Sequence, residues 1–230
     1  MQTYMQFEIT LRPEGELFGW LGHLLHGALF AQLAKAGPPL ATRIHAGEKK
    51  PFSLYFSYQG GLVTLHLNAW DDELCKAIPT AFSVGTRLLL SRTEAQVERF
   101  ALRQELNWRA DPAEFGQFRL HFISPTCFRP TRQTLLFPEG EYIIESLTRS
   151  TGLALNGEAG QFLQPLRYSL HTEAVNFKLY SITGFLGWAE YAIAANAPAE
   201  LQAELRALPY TGLGYKTTQG LGAVRIEPAI

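Results

Sequence analysis

One ordered pattern constrains this chain more than any other, and it occurs twice. Met5, Phe7, Ile9 and Leu11 alternate with Gln6, Glu8 and Thr10, the period of a half-buried strand. Pro13 and Gly15 end it. Leu17, Leu21, Leu24, Leu25, Ala28, Leu29 and Leu33 then recur at intervals of three and four, which predicts an amphipathic helix closing near Gly37-Pro38-Pro39. A connector follows over Leu40–Pro51, with His45, Lys49 and Lys50 on it. Phe52–Tyr58 and Leu62–Trp70 read as strands joined through Gln59-Gly60-Gly61. Asp71-Asp72-Glu73 opens a second helix toward Ser83, since acidic side chains favour a helix N-terminus. Thr86–Leu106 holds one or two last strands.

That order is β-α-β-β-α-β, the ferredoxin-like arrangement. Asp111-Pro112 and Phe115-Gly116 mark a boundary, so one domain is expected over residues 1–112 and another over 113–230. The second half repeats the order: a strand at Phe118–Ile123, a helix over Glu139–Gly152, two strands within Leu166–Ser181, a short helix at Glu200–Leu208 and a strand at Ala223–Ile226. The expected fold class is therefore α+β, two tandem ferredoxin-like domains. A length of 230 residues accommodates two such cores, and 47% apolar residues suffice to fill them.

Twenty basic residues against 21 acidic ones exclude a globally basic nucleic-acid binder, but not one with a local basic surface. No acidic residue lies between Glu114 and Glu139, where Arg119, His121, Arg129 and Arg132 stand. None lies between Glu204 and Glu227, where Arg206, Lys216 and Arg225 stand. Cys75 and Cys127 form no CxxC, so neither a zinc ribbon nor a disulfide framework is expected. The N-terminus lacks a basic region followed by an apolar run, and the apolar stretch over Leu17–Leu33 carries His23 and His26. A cytoplasmic protein without a membrane span is expected.

The segment from Gly212 to Gly222 is the most distinctive. Gly212, Gly214, Gly220 and Gly222 flank Lys216, Thr217 and Thr218, between a helix and a strand. Glycine permits positive φ and close approach of a polyanion to backbone N–H groups. Lysine adds charge and threonine adds donors, which suits a phosphate backbone. The order Gly-Lys-Ser/Thr is absent and a strand follows, so this is no Walker loop. The plainer reading is a long connection with turn glycines.

With these residues in view, the chain resembles the RAMP-type CRISPR-associated endoribonucleases that process precursor CRISPR RNA at its repeats. Gly212–Gly222 with the following strand looks like that family's C-terminal glycine-rich loop. Phe122–Arg129, with Phe137-Pro138 after it, looks like its strand-exit motif. Phe185–Trp188 and the early helix followed by His45 and Lys49–Phe52 are also similar to family segments. The resemblance implies tandem ferredoxin-like domains, repeat RNA bound across them, and metal-free cleavage to a 2′,3′-cyclic phosphate (or 3′-phosphate) and a 5′-hydroxyl. No cofactor is implied. Other CRISPR-associated proteins, or a second copy of the chain, are further partners left open.

Such cleavage needs a base for the 2′-hydroxyl, an acid for the leaving oxygen and charge on the phosphorane. Imidazole suits both proton transfers. His45 matches the family's catalytic histidine, and Lys50, or Lys49 by a slip of one, its assisting lysine. Some members carry a helper tyrosine on the first helix; Phe30 stands nearest here and cannot transfer a proton, which gives His26 more weight. His26 shares a helix side with His23, a pair with no third metal ligand in sight, and is expected either at the core edge or as a second proton carrier facing His45. His66, His121 and His171 lie on strands and read as structural or surface residues, with RNA contact left open for His121. The expected site is therefore His45, His26 and Lys50 for chemistry. Lys49, Arg129, Arg132, Gly212, Gly214, Lys216, Thr217, Gly220 and Gly222 are expected to hold RNA. Two alternatives stand beside this: a catalytically silent RAMP subunit holding guide RNA in an interference complex, and a small-molecule enzyme using the glycine loop for a nucleotide phosphate.

Overall fold

The alternating residues of the first strand form β1 (Thr3–Pro13), with Phe7, Ile9 and Leu11 buried in turn. A computed structural model describes residues 3–107, 116–152 and 157–229. The chain divides into two units, Met1–Asn107 with Thr218–Gly220, and Trp108–Thr217 with Leu221–Ile230. The boundary expected between residues 112 and 113 lies outside the described residues.

In the first unit, β1 is followed by α1 (Gly22–Ala36), α2 (Pro38–Ala46), β2 (Phe52–Gln59), β3 (Leu62–Ala69), α3 (Asp72–Ala81), β4 (Arg87–Leu90) and β5 (Thr93–Asn107). The sheet order is β2-β3-β1-β5-β4, with antiparallel neighbours throughout. The four strands β2-β3-β1-β5 are the ferredoxin-like core, and β4 extends its edge. Phe7, Ile9 and Leu11 share a buried cluster with Leu25, Leu29 and Leu33 of α1 and Leu74 and Ile78 of α3. Asp71 caps α3, its carboxylate accepting from the Leu74 N–H at 2.9 Å.

The alternate residues of the same strands are polar. Gln6 donates to Asn68, and Asn68 to Ser53, each at 3.0 Å. Glu8 accepts from Arg99 and Arg103, and that pairing holds its carboxyl below the usual carboxylate range.

Two expectations for this half are corrected. The first helix starts at Gly22, five residues after Leu17. Leu17 packs against the core from irregular backbone, because three-and-four spacing reports burial of one face, not backbone hydrogen bonding. The expected connector over Leu40–Pro51 is largely α2. Pro38 and Pro39 do not only close α1. They open α2 at positions whose N–H groups would lack partners anyway.

The second unit runs β6 (Gln117–Thr126), α4 (Gly140–Thr151), a 3-10 turn at Gly157–Phe162, β7 (Leu163–Asn176), β8 (Ser181–Ile193), α5 (Ala199–Leu205), α6 (Leu208–Thr211), a 3-10 turn at Thr217–Gln219 and β9 (Val224–Pro228). Its sheet order is β7-β8-β6-β9, antiparallel throughout, again ferredoxin-like. Phe118, Leu120 and Phe122 of β6 are buried, as are Ile143, Ile144 and Leu147 of α4. The rings of Phe122 and Phe185 meet edge to face at 4.8 Å. The two strands expected within Leu166–Ser181 are one, and its partner β8 begins where that range ends. β7 is exposed on both faces for most of its length, so its residue alternation carries no burial signal.

Candidate active site

The first helices of unit 1 gather the expected chemical groups around one phenyl ring. Phe30 of α1 meets His26, one turn before it, edge to face at 5.0 Å. It meets His45 of α2 in the same manner, also at 5.0 Å. Phe52, the first residue of β2, lies 5.9 Å from the rings of both His26 and Phe30. His45 is exposed and His26 half-buried. The two imidazoles thus share an apolar wall, and Phe30 stands between them as a spacer with no proton to move.

His26 has a second anchor. Its Nδ1 lies 2.8 Å from the backbone oxygen of Thr218, a residue counted with unit 1. One residue further, the Trp20 indole N–H donates to the Gln219 oxygen at 2.8 Å. Trp20 itself leans edge-on against Phe56 at 4.8 Å. Gly22, the first residue of α1, leaves the room: a Cβ there would lie 1.8 Å from the Gln219 oxygen. The tip of the glycine-rich segment is therefore tied to α1 through backbone oxygens.

Lys50 is expected to steady charge on the phosphorane, and the structure places its ammonium at the end of α2. Its ammonium donates to the backbone oxygens of Ile44 (3.1 Å), Gly47 (2.6 Å) and His45. A lysine ammonium has three donors, and these three carbonyls at and just past the end of α2 take them. Lys50 therefore holds the turn that carries His45. Lys49 beside it is exposed.

In unit 2 the glycine-rich loop satisfies much of its own backbone. Leu213 N–H donates to Gly222 O (2.7 Å), Gly214 N–H to Ser146 Oγ (2.9 Å) and Tyr215 N–H to Cys127 O (2.8 Å). Gly212 N–H donates to Leu208 O and Gly222 N–H to Pro125 O. These amides do not face outward for a polyanion, as the sequence suggested. Gly214 (φ +82°) shows why glycine is needed: a Cβ there would lie 2.2 Å from Cys127 O. Gly212, Gly220 and Gly222 are buried. Thr217 is half-buried, with its methyl group toward the positions of Gly212 and Gly222.

Lys216 is half-buried, with its ammonium 5.3 Å from the ring centres of Phe177 and Tyr215 and 5.7 Å from that of Tyr180. Phe177 and Tyr180 stack on each other at 5.1 Å. Arg129 lies over the other contact of that group, 5.0 Å from the Tyr215 ring, and Arg132 is exposed. Arg129 also lines an open hollow of about 540 Å³ with Thr134, Leu136, Tyr180, Ser181, Ile182 and Thr183.

The three strand histidines and the two cysteines have structural surroundings. His66 stacks on Tyr55 at 4.3 Å, and burial lowers its pKa. His121 pairs with Glu227 at 2.6 Å, and His171 is exposed. Burial pushes the Cys75 thiol up to about 12 and that of Cys127 to about 11, which removes both as thiolate nucleophiles near neutral pH. Among the described residues no group of three metal-ligating side chains comes together, and no helix is long and apolar enough to cross a membrane.

The sequence missed Trp20, the Thr218 carbonyl and the ring cluster around Lys216. A backbone oxygen has no residue signature. The aromatic residues at 177, 180 and 215 were visible, but only the β7–β8 hairpin brings the first two together.

Comparison with known proteins agrees with this fold. The family of the CRISPR-associated endoribonuclease Cas6 matches residues 120–224. The CRISPR-associated endoribonuclease Cas6 of Mycobacterium tuberculosis is 25% identical over 247 residues, covering 97% of this chain and 77% of that protein. A solved Cas6 product complex superposes with a TM-score of 0.83 at 21% identity, over 99% of this chain and 100% of the other. Thermus thermophilus Cas6 superposes with a TM-score of 0.74 at 20% identity, over 99% of each. Tandem ferredoxin-like units, the glycine-rich loop and these relatives agree: the chain has the fold of the solved Cas6 structures, and it is similar to the CRISPR-associated endoribonucleases of the Cas6 family.

Proposed function

We propose that the chain binds CRISPR repeat RNA and cuts it once per repeat by acid–base catalysis that needs no metal ion. The 2′-oxygen attacks the adjacent phosphorus, one imidazole takes its proton, and a second gives a proton to the departing 5′-oxygen. The products carry a 2′,3′-cyclic phosphate (or, after hydrolysis, a 3′-phosphate) and a 5′-hydroxyl. The observation that carries this reading is the meeting of His26 and His45 on the one ring of Phe30. Two imidazoles on a shared apolar wall are suited to two proton transfers near neutral pH.

Lys50 serves this chemistry as a positioning residue, by closing the end of α2 behind His45. Lys49, exposed beside it, is the ammonium that reaches the scissile phosphate. Arg129, Arg132, Lys216 and Thr217 grip the RNA backbone, and Gly212, Gly214, Gly220 and Gly222 shape the loop that presents Lys216 and Thr217. Solved relatives include Cas6 product and substrate-mimic complexes, which support an RNA ligand.

The test is cleavage of end-labelled repeat RNA in EDTA. Parent protein is expected to cut once, to leave a 5′-hydroxyl that polynucleotide kinase labels directly, and to lose cutting on His45→Ala. Binding without cutting by the parent points instead to a silent guide-holding subunit. Cutting abolished by EDTA points to a metal nuclease.

A further inference from the structure

The sequence names two histidines for two proton transfers and does not say which does which. The backbone around His26 does. A carbonyl oxygen can only accept a hydrogen bond, so at 2.8 Å from Thr218 O the Nδ1 of His26 must carry a hydrogen. In the neutral ring that leaves Nε2 with a lone pair and no proton, the state of a general base. We propose that the Thr218 carbonyl is a positioning group that fixes His26 in its Nδ1–H tautomer and so makes Nε2 the general base, an assignment that rests on the function proposed above.

Nε2 then takes the 2′-hydroxyl proton as the 2′-oxygen forms its bond to phosphorus. The bond from phosphorus to the 5′-oxygen breaks, and His45 as imidazolium supplies the proton that makes the 5′-hydroxyl. Thr218 O still accepts from Nδ1–H after His26 becomes charged. It therefore favours the imidazolium that forms in the transition state, as the orienting carboxylate does in a nucleophile–histidine–acid triad.

The carbonyl is itself held. Trp20 N–H fixes the neighbouring Gln219 oxygen, and Gly22 leaves the space for that oxygen against α1. The glycine-rich segment thus has a role separate from phosphate binding. It carries a backbone oxygen from the far end of the sequence to the first helix.

The experiment uses full-length protein labelled with ¹⁵N at histidine, in alkaline buffer where imidazole is neutral. Long-range ¹H–¹⁵N correlations give the tautomer, and His26 is assigned by the set of peaks missing in His26→Gln. A pyrrole-type signal at Nδ1 and a pyridine-type signal at Nε2 are expected. Trp20→Phe removes the indole donor and keeps the ring. It is expected to erode the Nδ1–H signature and to slow single-turnover cleavage about fivefold, the effect of one hydrogen bond, with repeat-RNA affinity unchanged. A His26 ring protonated at Nε2 overturns the proposal. So does a Trp20→Phe protein that loses the Nδ1–H signature and keeps the parent's rate. Full cleavage by His26→Gln is a different failure: it removes His26 from the chemistry whatever its tautomer, while an Nε2–H ring in a protein that His26→Gln inactivates refutes only the assignment made here.

Discussion

The two regions that carry the chemical side chains hold them in different ways. In the first unit, His26 and Lys50 are bound by backbone oxygens at hydrogen-bond length, and each bond names a donor and a direction. In the second unit, Lys216 and Arg129 lie over aromatic faces at 5.0–5.7 Å. A ring face attracts a cation electrostatically without fixing which N–H points where. A hydrogen bond to a fixed carbonyl suits a group that must move one proton at one atom. A cation over rings suits a group that must attract phosphates arriving in many orientations. One fold, used twice, thus holds these side chains by directional bonds in one unit and over ring faces in the other.

The sharpest way to break this comparison is to remove the imidazoles. His26→Ala and His45→Ala should each lower the single-turnover cleavage rate 10²–10⁴-fold, roughly the worth of one positioned proton carrier. Repeat-RNA affinity should stay within about twofold. The double variant should be little slower than the worse single one, because the two act in one step. Lost affinity with an unchanged rate would place the histidines in the grip instead.

A second contrast lies within unit 2, between two buried carboxylates. Glu190 of β8 is paired with Arg119 (2.7 Å) and with Arg167, and these partners hold its pKa below the usual range. Glu204 of α5 is equally buried, but its partner is the Thr151 hydroxyl at 3.1 Å, and desolvation raises its pKa from 4.5 to about 7. A carboxyl with a raised folded pKa contributes fully below its unfolded value and loses that contribution as pH rises through about 7. Glu204→Gln should therefore leave stability unchanged at pH 4 and raise it at pH 8, by up to about 3 kcal/mol. Urea unfolding at the two pH values measures it. A loss of stability at pH 8 would show that the Glu204 charge is used.

The smallest expected effect separates the cations of the grip. Arg132 is exposed, whereas the Lys216 ammonium is ringed by Phe177, Tyr180 and Tyr215. Arg132→Gln should reduce the slope of log affinity against log salt by about 0.7–0.9, the value for one released counterion. Lys216→Met, which keeps the ring contacts, should change that slope less. Equal slope changes would mean that Lys216, though it lies over rings, is as available to the RNA backbone as Arg132.

Much of this was legible in the residues. Alternation in β1, the Gly60-Gly61 hairpin, the acidic start of α3 and the order of elements all report local geometry or one-sided burial, and the structure bears them out. The structure departs from the pattern where burial is absent or backbone decides. β7 has no buried face to impose a period. Pro38-Pro39 can close one helix or open another, and here they begin α2, which moves His45 from a connector onto a helix end. Lys50 reads as a charge for phosphate until the end of α2 presents three carbonyls to it.

By itself, the sequence determined the ferredoxin-like order in each half, the residue types able to move protons, and the loop that needed glycine. These follow from side-chain period, ionisation and steric size, which are properties of neighbouring residues. Tertiary structure alone decided that Thr218 meets His26 and that Trp20 holds Gln219, across 192 and 199 positions of chain. It also decided that the Lys50 ammonium meets three carbonyls at the end of α2. Each of those facts depends on where a backbone oxygen lies, and backbone oxygens are the same in every residue.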